Sequence, residues 1–334
     1  MALVDHCTTP ETSCCNRSLQ EPPIVRPHHT EEGAFVFERG DNTSLVRQGL
    51  VNIGGAAIRY TYERPEDITD PDPIVITPGY GGIKPAYREL RNSLSVHGRP
   101  AVTFRPPRTQ TISASFDPTH LLHPDRLLAQ ATYAVSKDII QRYGLIDDFE
   151  KVDAVGHSMG GPAVVSAALH KPEYFHTVTA MAAAGLDGHT LLDMAKRAPS
   201  VVRAEIIPAI SDIRQRSDVR SLKDIIHYMA RNPWRTLAEG LTVGSGDIRE
   251  KVAILGSLGV KSAALQFADD RFFPVEGVRE KSAHLFDAFY EFPNPLANHV
   301  WPQLEPETVA HELVNITADL KHNNQARLQL VRQN

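Results

Sequence analysis

Residues 152–170 read VDAVGHSMGGPAVVSAALH, and this stretch decides the fold. It begins with a short, largely apolar run that is typical of a buried strand. It ends in a segment rich in alanine and valine, which favours a helix up to His170, and Pro172 then ends that helix. A Gly-x-Ser-x-Gly pattern centred on Ser158 lies between the two. We therefore predict a strand, a sharp turn and a helix, with the serine hydroxyl raised above the sheet.

The turn accounts for the glycines on either side of the serine. Gly156 and Gly160 stand two residues before and two residues after it, and His157 directly precedes it. A turn this tight leaves little room for side chains at the two glycine positions. The pattern also arises by chance, so the alternative is a glycine-rich turn with an inert serine. The strand before it and the helix after it favour the reactive turn, whereas the similar stretch 256–259 lacks this spacing.

Outward from the turn, short apolar runs alternate with amphipathic segments. The predicted strands are residues 74–77, 101–104, 152–155, 178–184, 263–267 and 288–292, with a glycine-linked hairpin over 50–62. The predicted helices cover 86–96, 126–143 and a C-terminal segment with Val309, Leu313, Ile316 and Leu320 on one face. Strands that alternate with helices predict an α/β fold, with a mostly parallel central sheet and helices on both of its faces.

The chain divides into three parts on composition. Residues 1–31 are polar and poor in large apolar side chains, and we expect a disordered N-terminal arm. The core of the α/β fold is expected over 32–185 and 259–334. Between them, 186–258 has apolar residues at helical spacing, which predicts an inserted helical cap. All three cysteines lie in the arm, at positions 7, 14 and 15, where their spacing fits a reduced, exposed tail better than a zinc site.

Bulk composition narrows the class of protein. The chain has 334 residues, of which 42% are hydrophobic and 22% charged, and its formal net charge is −5. These values are ordinary for a globular protein, and the mild acidity argues against a nucleic-acid-binding protein, which needs a basic surface. No apolar run is long enough to span a bilayer, and the N-terminus does not resemble a signal peptide. We therefore expect a cytoplasmic protein.

A serine hydroxyl needs a base to remove its proton, and the base needs a group that orients it. Two loops that follow predicted strands carry suitable residues. One contains Asp269 and Asp270, and the other contains His299. Of the two neighbouring carboxylates, Asp269 is better interpreted as a solvated or loop-capping residue. Asp187, which follows the strand after the serine, is an alternative acid.

A second glycine-rich loop follows the strand at 74–77. It reads PGYGG over 78–82. Backbone N–H groups that point at a developing oxyanion require an open turn of the kind that glycine permits. A plain turn is the alternative interpretation of this loop taken alone.

The residues quoted above carry a resemblance to a known family. From about Leu50 to Leu320 the sequence resembles the α/β-hydrolase superfamily. It is most similar to the branch of capped serine esterases, monoacylglycerol lipases and cofactor-free haloperoxidases, which commonly show Gly-His-Ser-Met-Gly-Gly as at residues 156–161. The resemblance implies a Ser-His-Asp triad at the carboxyl edge of the sheet.

The resemblance also implies a role for each matching residue. The family's acid stands in a loop similar to Asp-Asp-x-x-x-Pro, which corresponds to Asp270. Its histidine precedes a segment similar to Glu-x-Pro-Glu, which corresponds to His299 before residues 305–307. Its oxyanion hole consists of two backbone N–H groups, which correspond to Met159 and Tyr80. The nucleophile is Ser158.

The sequence departs from the family in three places. Pro78 stands where a histidine often precedes the oxyanion loop, and Asn298 stands where a glycine often precedes the histidine. Residues 105–110 read RPPRTQ, whereas relatives often carry Asp-x-x-Gly-x-Gly-x-Ser after this strand. These changes affect the shape of the loops and the pocket floor rather than the triad.

The expected activity is acyl transfer to water through an acyl-enzyme. A carboxylic ester is the expected bond, in a small-molecule substrate that is partly apolar, and neither a metal nor an organic cofactor is implied. The alternatives are the same triad acting on an amide, a thioester or a carbon–carbon bond, or a non-catalytic binding protein with a hydrolase fold. The sequence singles out no substrate.

Overall fold

The computed structural model describes the central part of the chain together with short segments on either side. The described residues are 28–29, 35–39, 42–53, 56–79, 84–107, 124–201, 203–204, 207, 240, 243, 246–292 and 294–322. The predicted arm and its cysteines lie outside them, except for His28 and His29, which form a short strand. Most of 202–245, the middle of the predicted cap, also lies outside them. The domain boundaries therefore stay predictions.

A single sheet forms the centre of the described part of the chain. Its strands are β1 (His28–His29), β2 (Phe35–Arg39), β3 (Asn42–Ile53), β4 (Ala56–Pro65), β5 (Ile74–Thr77), β6 (Ala101–Phe104), β7 (Val152–His157), β8 (Phe175–Met181), β9 (Lys261–Phe267) and β10 (Ala288–Phe292). Their order across the sheet is β1-β2-β3-β4-β6-β5-β7-β8-β9-β10. Strands β5 to β10 run parallel to their neighbours, while β1 to β4 form antiparallel pairs and β4 joins β6 antiparallel. The mostly parallel sheet that the sequence predicts is confirmed.

Helices cover both faces of the sheet. They are α1 (Arg88–Val96), α2 (Pro124–Asp147), α3 (Gly160–His170), α4 (Leu191–Val201), α5 (Arg249–Leu255), α6 (Val275–Ser282), α7 (Trp301–Leu304) and α8 (Pro306–Lys321). Leucines of α1 and the apolar side of α8 pack in one buried cluster, and residues of α2, α3 and α5 pack in the other. Strand β5 lies between these layers and is buried along its whole length, which is why it reads as a continuous apolar run.

The C-terminal helix shows how the pattern determines the packing. Val309, Leu313, Ile316 and Leu320 recur at helical spacing and are all buried. The preceding proline, Pro306, occupies the first helical position, where its missing N–H costs no hydrogen bond.

One strand ends earlier than the sequence indicates. The apolar run 178–184 predicts a strand up to Ala184, but β8 ends at Met181. Ala182 has a φ of 44°, which an extended strand cannot accommodate, and its N–H is donated to Leu265 O. The chain therefore leaves the sheet at this point, and Ala184 N–H is instead donated to Ser158 O at 3.2 Å.

A buried ion network fixes the opposite, amino-terminal edge of the sheet. Arg99 is 1% exposed, and its guanidinium is 2.6 Å from an oxygen of Asp153 at the start of β7. Lys321, in the last turn of α8, contacts the same Asp153 oxygen at 2.9 Å and Asp72 at 2.7 Å. Buried charges need such partners. The network thus holds α8 against the sheet at its amino-terminal edge, which is the edge opposite Ser158.

The described residues lack two further features, a membrane-spanning helix and a cluster of metal ligands. Within the ranges given above, no helix has the length and apolarity that crossing a bilayer requires. The described residues also contain no group of three or more histidine, cysteine or carboxylate side chains that could hold a metal ion.

Candidate active site

Ser158 lies at a strained turn between β7 and α3. Its φ is 55°, a left-handed conformation that a residue with a side chain rarely adopts. Three backbone hydrogen bonds hold it there: Ser158 N–H is donated to Met181 O at 3.0 Å, and Ser158 O accepts Gly161 N–H at 3.0 Å and Ala184 N–H at 3.2 Å. The surrounding structure therefore enforces the strained conformation, which is common where a side chain has a function.

The glycines on either side of the serine are required by close backbone contacts. A Cβ on Gly156 would collide with the carbonyl of Gly160, and a Cβ on Gly160 would collide with the carbonyl of Thr77 at the end of β5. Both obstacles are backbone atoms that cannot move aside. These close approaches explain why glycine occupies both positions.

Asp270 and His299 form a buried pair in the loops after β9 and β10. His299 Nδ1 is 2.9 Å from Asp270 Oδ2, and Asp270 is 3% exposed. The other carboxylate oxygen, Oδ1, accepts the N–H groups of Phe272 at 2.8 Å and Phe273 at 3.0 Å. Both oxygens are therefore engaged. Because an ionised carboxylate only accepts, the Nδ1 proton of His299 is donated to it, and Nε2 becomes the basic nitrogen of the ring.

The His299 loop is fixed beside the serine turn by His157. The two imidazole rings lie 4.9 Å apart, and His157 Nε2 is 2.9 Å from the carbonyl oxygen of His299. Phe272 and Phe273 pack on the other sides of the His299 ring, with ring centres at 5.0 and 5.3 Å. The His299 ring is thereby flanked by aromatic groups, which lower the local dielectric and strengthen its hydrogen bond to Asp270.

Gly79, two residues after the end of β5, lies directly over the serine turn. A Cβ on Gly79 would come within 2.8 Å of Ser158 Cβ and 2.9 Å of His157 O, so only glycine fits at this approach. Tyr80, to which the sequence assigns one oxyanion donor, lies outside the described residues. Met159, the other assigned donor, precedes the first residue of α3, where N–H groups lack a partner within the helix.

The two alternative acids, Asp269 and Asp187, are paired with residues other than His299. Asp269 forms an ion pair with Arg271 at 3.4 Å, and its side chain is 45% exposed, which fits the interpretation as a solvated carboxylate. Asp187 is buried and paired with His189 and with Arg197, the latter at 2.8 Å. Burial raises the pKa of Asp187, but the hydrogen bonds from His189 and Arg197 outweigh it and lower that pKa below its usual value. The carboxylate that pairs with the imidazole of His299 is that of Asp270, at 2.9 Å.

Two residues of the site, His157 and Tyr87, make contacts that no motif in the sequence predicts. The sequence places His157 directly before the serine without indicating a partner for it, and it assigns nothing to Tyr87. The Tyr87 hydroxyl is 2.7 Å from His157 Nδ1 and 3.1 Å from Gly79 N. The only signal was the position of His157 next to the serine, because the partners are 70 and 142 residues away in the chain.

Burial keeps His157 uncharged. Its side chain is enclosed, and this desolvation, with a smaller contribution from the nearby His299, lowers the pKa of His157 well below the usual value of 6.5. A neutral imidazole carries one proton. Since the carbonyl of His299 can only accept, that proton is on Nε2, and Nδ1 accepts from the Tyr87 hydroxyl.

The neutral state of His157 predicts a pH dependence of stability. Below about pH 6.5 the unfolded chain binds a proton at this residue that the folded chain does not, so the free energy of unfolding falls as the pH falls. Between pH 7 and 5.5 we expect His157 to account for a loss of up to roughly 1.3 kcal/mol. Urea unfolding followed by circular dichroism at both values, for the natural protein and His157→Gln, measures it. A pH-induced loss of equal size in the two proteins would contradict the prediction.

Comparisons with known proteins give fold similarity without sequence similarity. No protein-family model matches the chain, and no curated protein matches its sequence. Many solved structures match its fold. A proline iminopeptidase from Mycobacterium smegmatis aligns with a TM-score of 0.58 at 11% identity over 83% of this chain and 99% of that one.

Two further structures have a similar arrangement. A mutant of an N-acyl homoserine lactonase, in complex with N-hexanoyl homoserine, aligns with a TM-score of 0.56 at 15% identity, over 82% of this chain and 97% of its own. A thermophilic esterase aligns with a TM-score of 0.52 at 12% identity, over 82% of this chain and 98% of its own. At such identities the likeness establishes a shared fold and leaves the chemistry to be argued from the residues.

Proposed function

This chain has the α/β-hydrolase fold, and we propose that it is a serine hydrolase that cleaves carboxylic esters. The observation that carries the proposal is the buried Asp270–His299 pair, with Oδ2 and Nδ1 2.9 Å apart, beside a serine held at a φ of 55°. Neither feature is needed for a packed core, and both are needed for a nucleophile with an oriented base.

The proposed reaction begins at the serine. Ser158 Oγ attacks the carbonyl carbon of the ester while its proton passes to His299 Nε2. Asp270 keeps the ring in the orientation and tautomer that leave Nε2 able to accept, and it stabilises the imidazolium that results. The carbonyl oxygen becomes an oxyanion. We assign its stabilisation to the backbone N–H groups of Met159 and Tyr80.

The second half of the reaction frees the enzyme. His299 returns its proton to the leaving alkoxide, which departs as an alcohol and leaves an ester on Ser158. A water molecule then attacks this acyl-enzyme with His299 again as base, and the carboxylic acid is released.

The substrate assignment is an ester with a partly apolar acyl group. Phe272 and Phe273 flank His299, and both carry large apolar faces next to the reacting groups. We further propose that 186–258 form a cap over this edge of the sheet. In support, the guanidinium of Arg197 in α4 donates a hydrogen bond to the carbonyl oxygen of Phe272 at 2.8 Å.

A labelling experiment tests the proposal. The full-length protein is incubated with a fluorophosphonate probe, digested, and analysed by mass spectrometry. We expect one stoichiometric adduct on the peptide that contains Ser158, because the probe reacts with activated serines and not with ordinary hydroxyls. A folded protein that acquires no adduct, or one only at another serine, would refute the serine-hydrolase assignment.

A substrate panel tests the type of bond. p-Nitrophenyl esters of rising acyl length are compared with the corresponding anilides and thioesters. We expect esters to have the highest kcat/KM, with an optimum of chain length that reports the size of the acyl pocket. If the protein labels at Ser158 but turns over only anilides or only thioesters, the hydrolase assignment stands and the ester assignment is wrong.

A further inference from the structure

We propose that Tyr87 and His157 are positioning residues that hold the His299 loop and the Gly79 loop in register with the serine turn. This inference rests on the proposed function, because it assigns to both residues an effect on the reaction of Ser158. Neither side chain is given a role in proton transfer; each acts through another group.

The three hydrogen bonds that link these residues all point the same way, from Gly79 through Tyr87 and His157 to His299. Gly79 N–H is donated to the Tyr87 hydroxyl oxygen at 3.1 Å, and the Tyr87 hydroxyl is donated to His157 Nδ1 at 2.7 Å. His157 Nε2–H is donated in turn to the carbonyl oxygen of His299 at 2.9 Å. Each donor meets an acceptor, and the direction follows from the carbonyl at the end, which can only accept.

The chain of bonds joins four separate pieces of the fold. Gly79 belongs to the loop after β5, and Tyr87 ends the short 3₁₀ turn before α1. His157 is the last residue of β7, and His299 lies in the loop after β10. The three predicted functional elements, namely the oxyanion loop, the nucleophile turn and the base loop, are thus linked through two side chains that are not themselves assigned to the chemistry.

Because Tyr87 and His157 are buried, we expect the loss of one of these hydrogen bonds to have a large effect on the reaction rate. Tyr87 is 2% exposed and His157 is 4% exposed, so solvent cannot replace a lost partner at low cost. The carbonyl of His299 belongs to the residue that must change charge during the reaction. Its backbone position sets where the imidazole stands, and displacements of about an ångström at a reacting group can cost roughly 100-fold in rate.

The neutrality of His157 matters for the same reason. Its ring centre lies 4.9 Å from that of His299, which becomes an imidazolium in each half-reaction. A charged residue at position 157 would repel that imidazolium, whereas a neutral imidazole can donate to the loop without opposing the proton transfer. Tyr87 supports this state because its hydroxyl occupies Nδ1 as a donor.

The test compares three variants of the full-length protein. Tyr87→Phe removes one oxygen, His157→Leu removes both hydrogen bonds of the ring, and His157→Gln keeps an N–H at about the position of Nε2. For each we measure the rate constant of fluorophosphonate labelling at Ser158, and kcat and KM for the best p-nitrophenyl ester. Rate constants are normalised to the sites that the probe titrates, so that a partly unfolded sample does not distort them.

The expected pattern is a loss in kcat rather than in KM. Tyr87→Phe should lower kcat about 10-fold, and His157→Leu about 100-fold, with KM within about 2-fold of the natural value. His157→Gln should recover most of the loss of His157→Leu, because its amide can donate to the carbonyl of His299. The double variant Tyr87→Phe/His157→Leu should lose less than the product of the single effects, because part of the action of Tyr87 passes through His157.

Tyr62→Phe is the matched control. Tyr62 is as buried as Tyr87, and its hydroxyl is also donated to one side chain, Asp147 at 2.8 Å. We expect this variant to lower Tm and to keep kcat, which separates the loss of a buried hydroxyl from an effect on the site.

The outcomes distinguish the inference from the proposed function. If the natural protein is not labelled at Ser158, the proposed function fails and the inference falls with it. If the natural protein is labelled, but Tyr87→Phe and His157→Leu react at its rate, the function stands and the inference is overturned. Losses that are strictly multiplicative in the double variant, or a His157→Gln variant no better than His157→Leu, also overturn it.

Discussion

Ser158→Ala should lower kcat for the best ester by roughly 10⁶-fold and abolish labelling by the fluorophosphonate probe. The substitution removes only the attacking oxygen, so the loss measures the nucleophile itself. A small residual rate is expected from whatever remains of oxyanion stabilisation. Steady-state turnover of a p-nitrophenyl ester, with enzyme concentration determined by absorbance, measures the effect. The side chain is small and buried, so the fold should survive the change.

The chain provides a matched control for this variant. Ser257 stands in the stretch Gly-Ser-Leu-Gly at 256–259, and its hydroxyl is exposed and donated to Ile254 O at 2.7 Å. Ser257→Ala should keep both kcat and labelling. If Ser158→Ala retained more than about a hundredth of the natural rate, after a check for contaminating esterase, the nucleophile would have to be another residue.

Much of the fold could be read from local sequence because local contacts determine it. The five-residue pattern at Ser158 predicts the turn, and a Cβ on Gly156 would meet the carbonyl of Gly160 inside that same pattern. Gly160 is required instead by the carbonyl of Thr77 in β5, which is close in space but distant in the chain. The strands at 74–77, 101–104 and 288–292 have the predicted bounds, since each is a short, mostly apolar run with a proline or a charged residue on either side. The end of β8 could not be read in this way, because Ala182 leaves the sheet through its backbone conformation and not through its composition.

The residues of the candidate site divide in the same way, into those that the sequence indicates and those that it does not. Asp270 and His299 could be anticipated because parallel strands deliver the loops at their carboxyl ends to one edge of the sheet. Their mutual hydrogen bond fits the roles that the resemblance implies. Tyr87 could not be anticipated, because nothing in the residues around it indicates a partner 70 positions away. Long-range side-chain contacts of this kind follow from the packing of four separate pieces of the fold: a strand end, a 3₁₀ turn and two loops.

Asp270→Asn should lower kcat by about 10⁴-fold while leaving the protein folded. The reason lies in the two oxygens of the carboxylate. Oδ1 accepts the N–H groups of Phe272 and Phe273, so the amide oxygen of an asparagine takes that place. The NH₂ group then faces His299 Nδ1 and requires it to accept. The ring proton moves to Nε2, where it blocks the lone pair that must receive the serine proton.

Asp187→Asn tests whether this effect belongs to one carboxylate or to any buried one. Asp187 is as buried as Asp270 and also pairs with a histidine, His189, but the other ring nitrogen of that histidine, Nε2, lies 3.1 Å from Val243 O. Removal of the Asp187 charge leaves Arg197 without its ionic partner, so we expect Tm to fall by several degrees. We expect kcat per folded molecule to stay within about 5-fold of the natural value. A large loss of kcat in Asp187→Asn with little change in Asp270→Asn would instead move the acid to the loop after β8, and the geometry at His299 would then require another explanation.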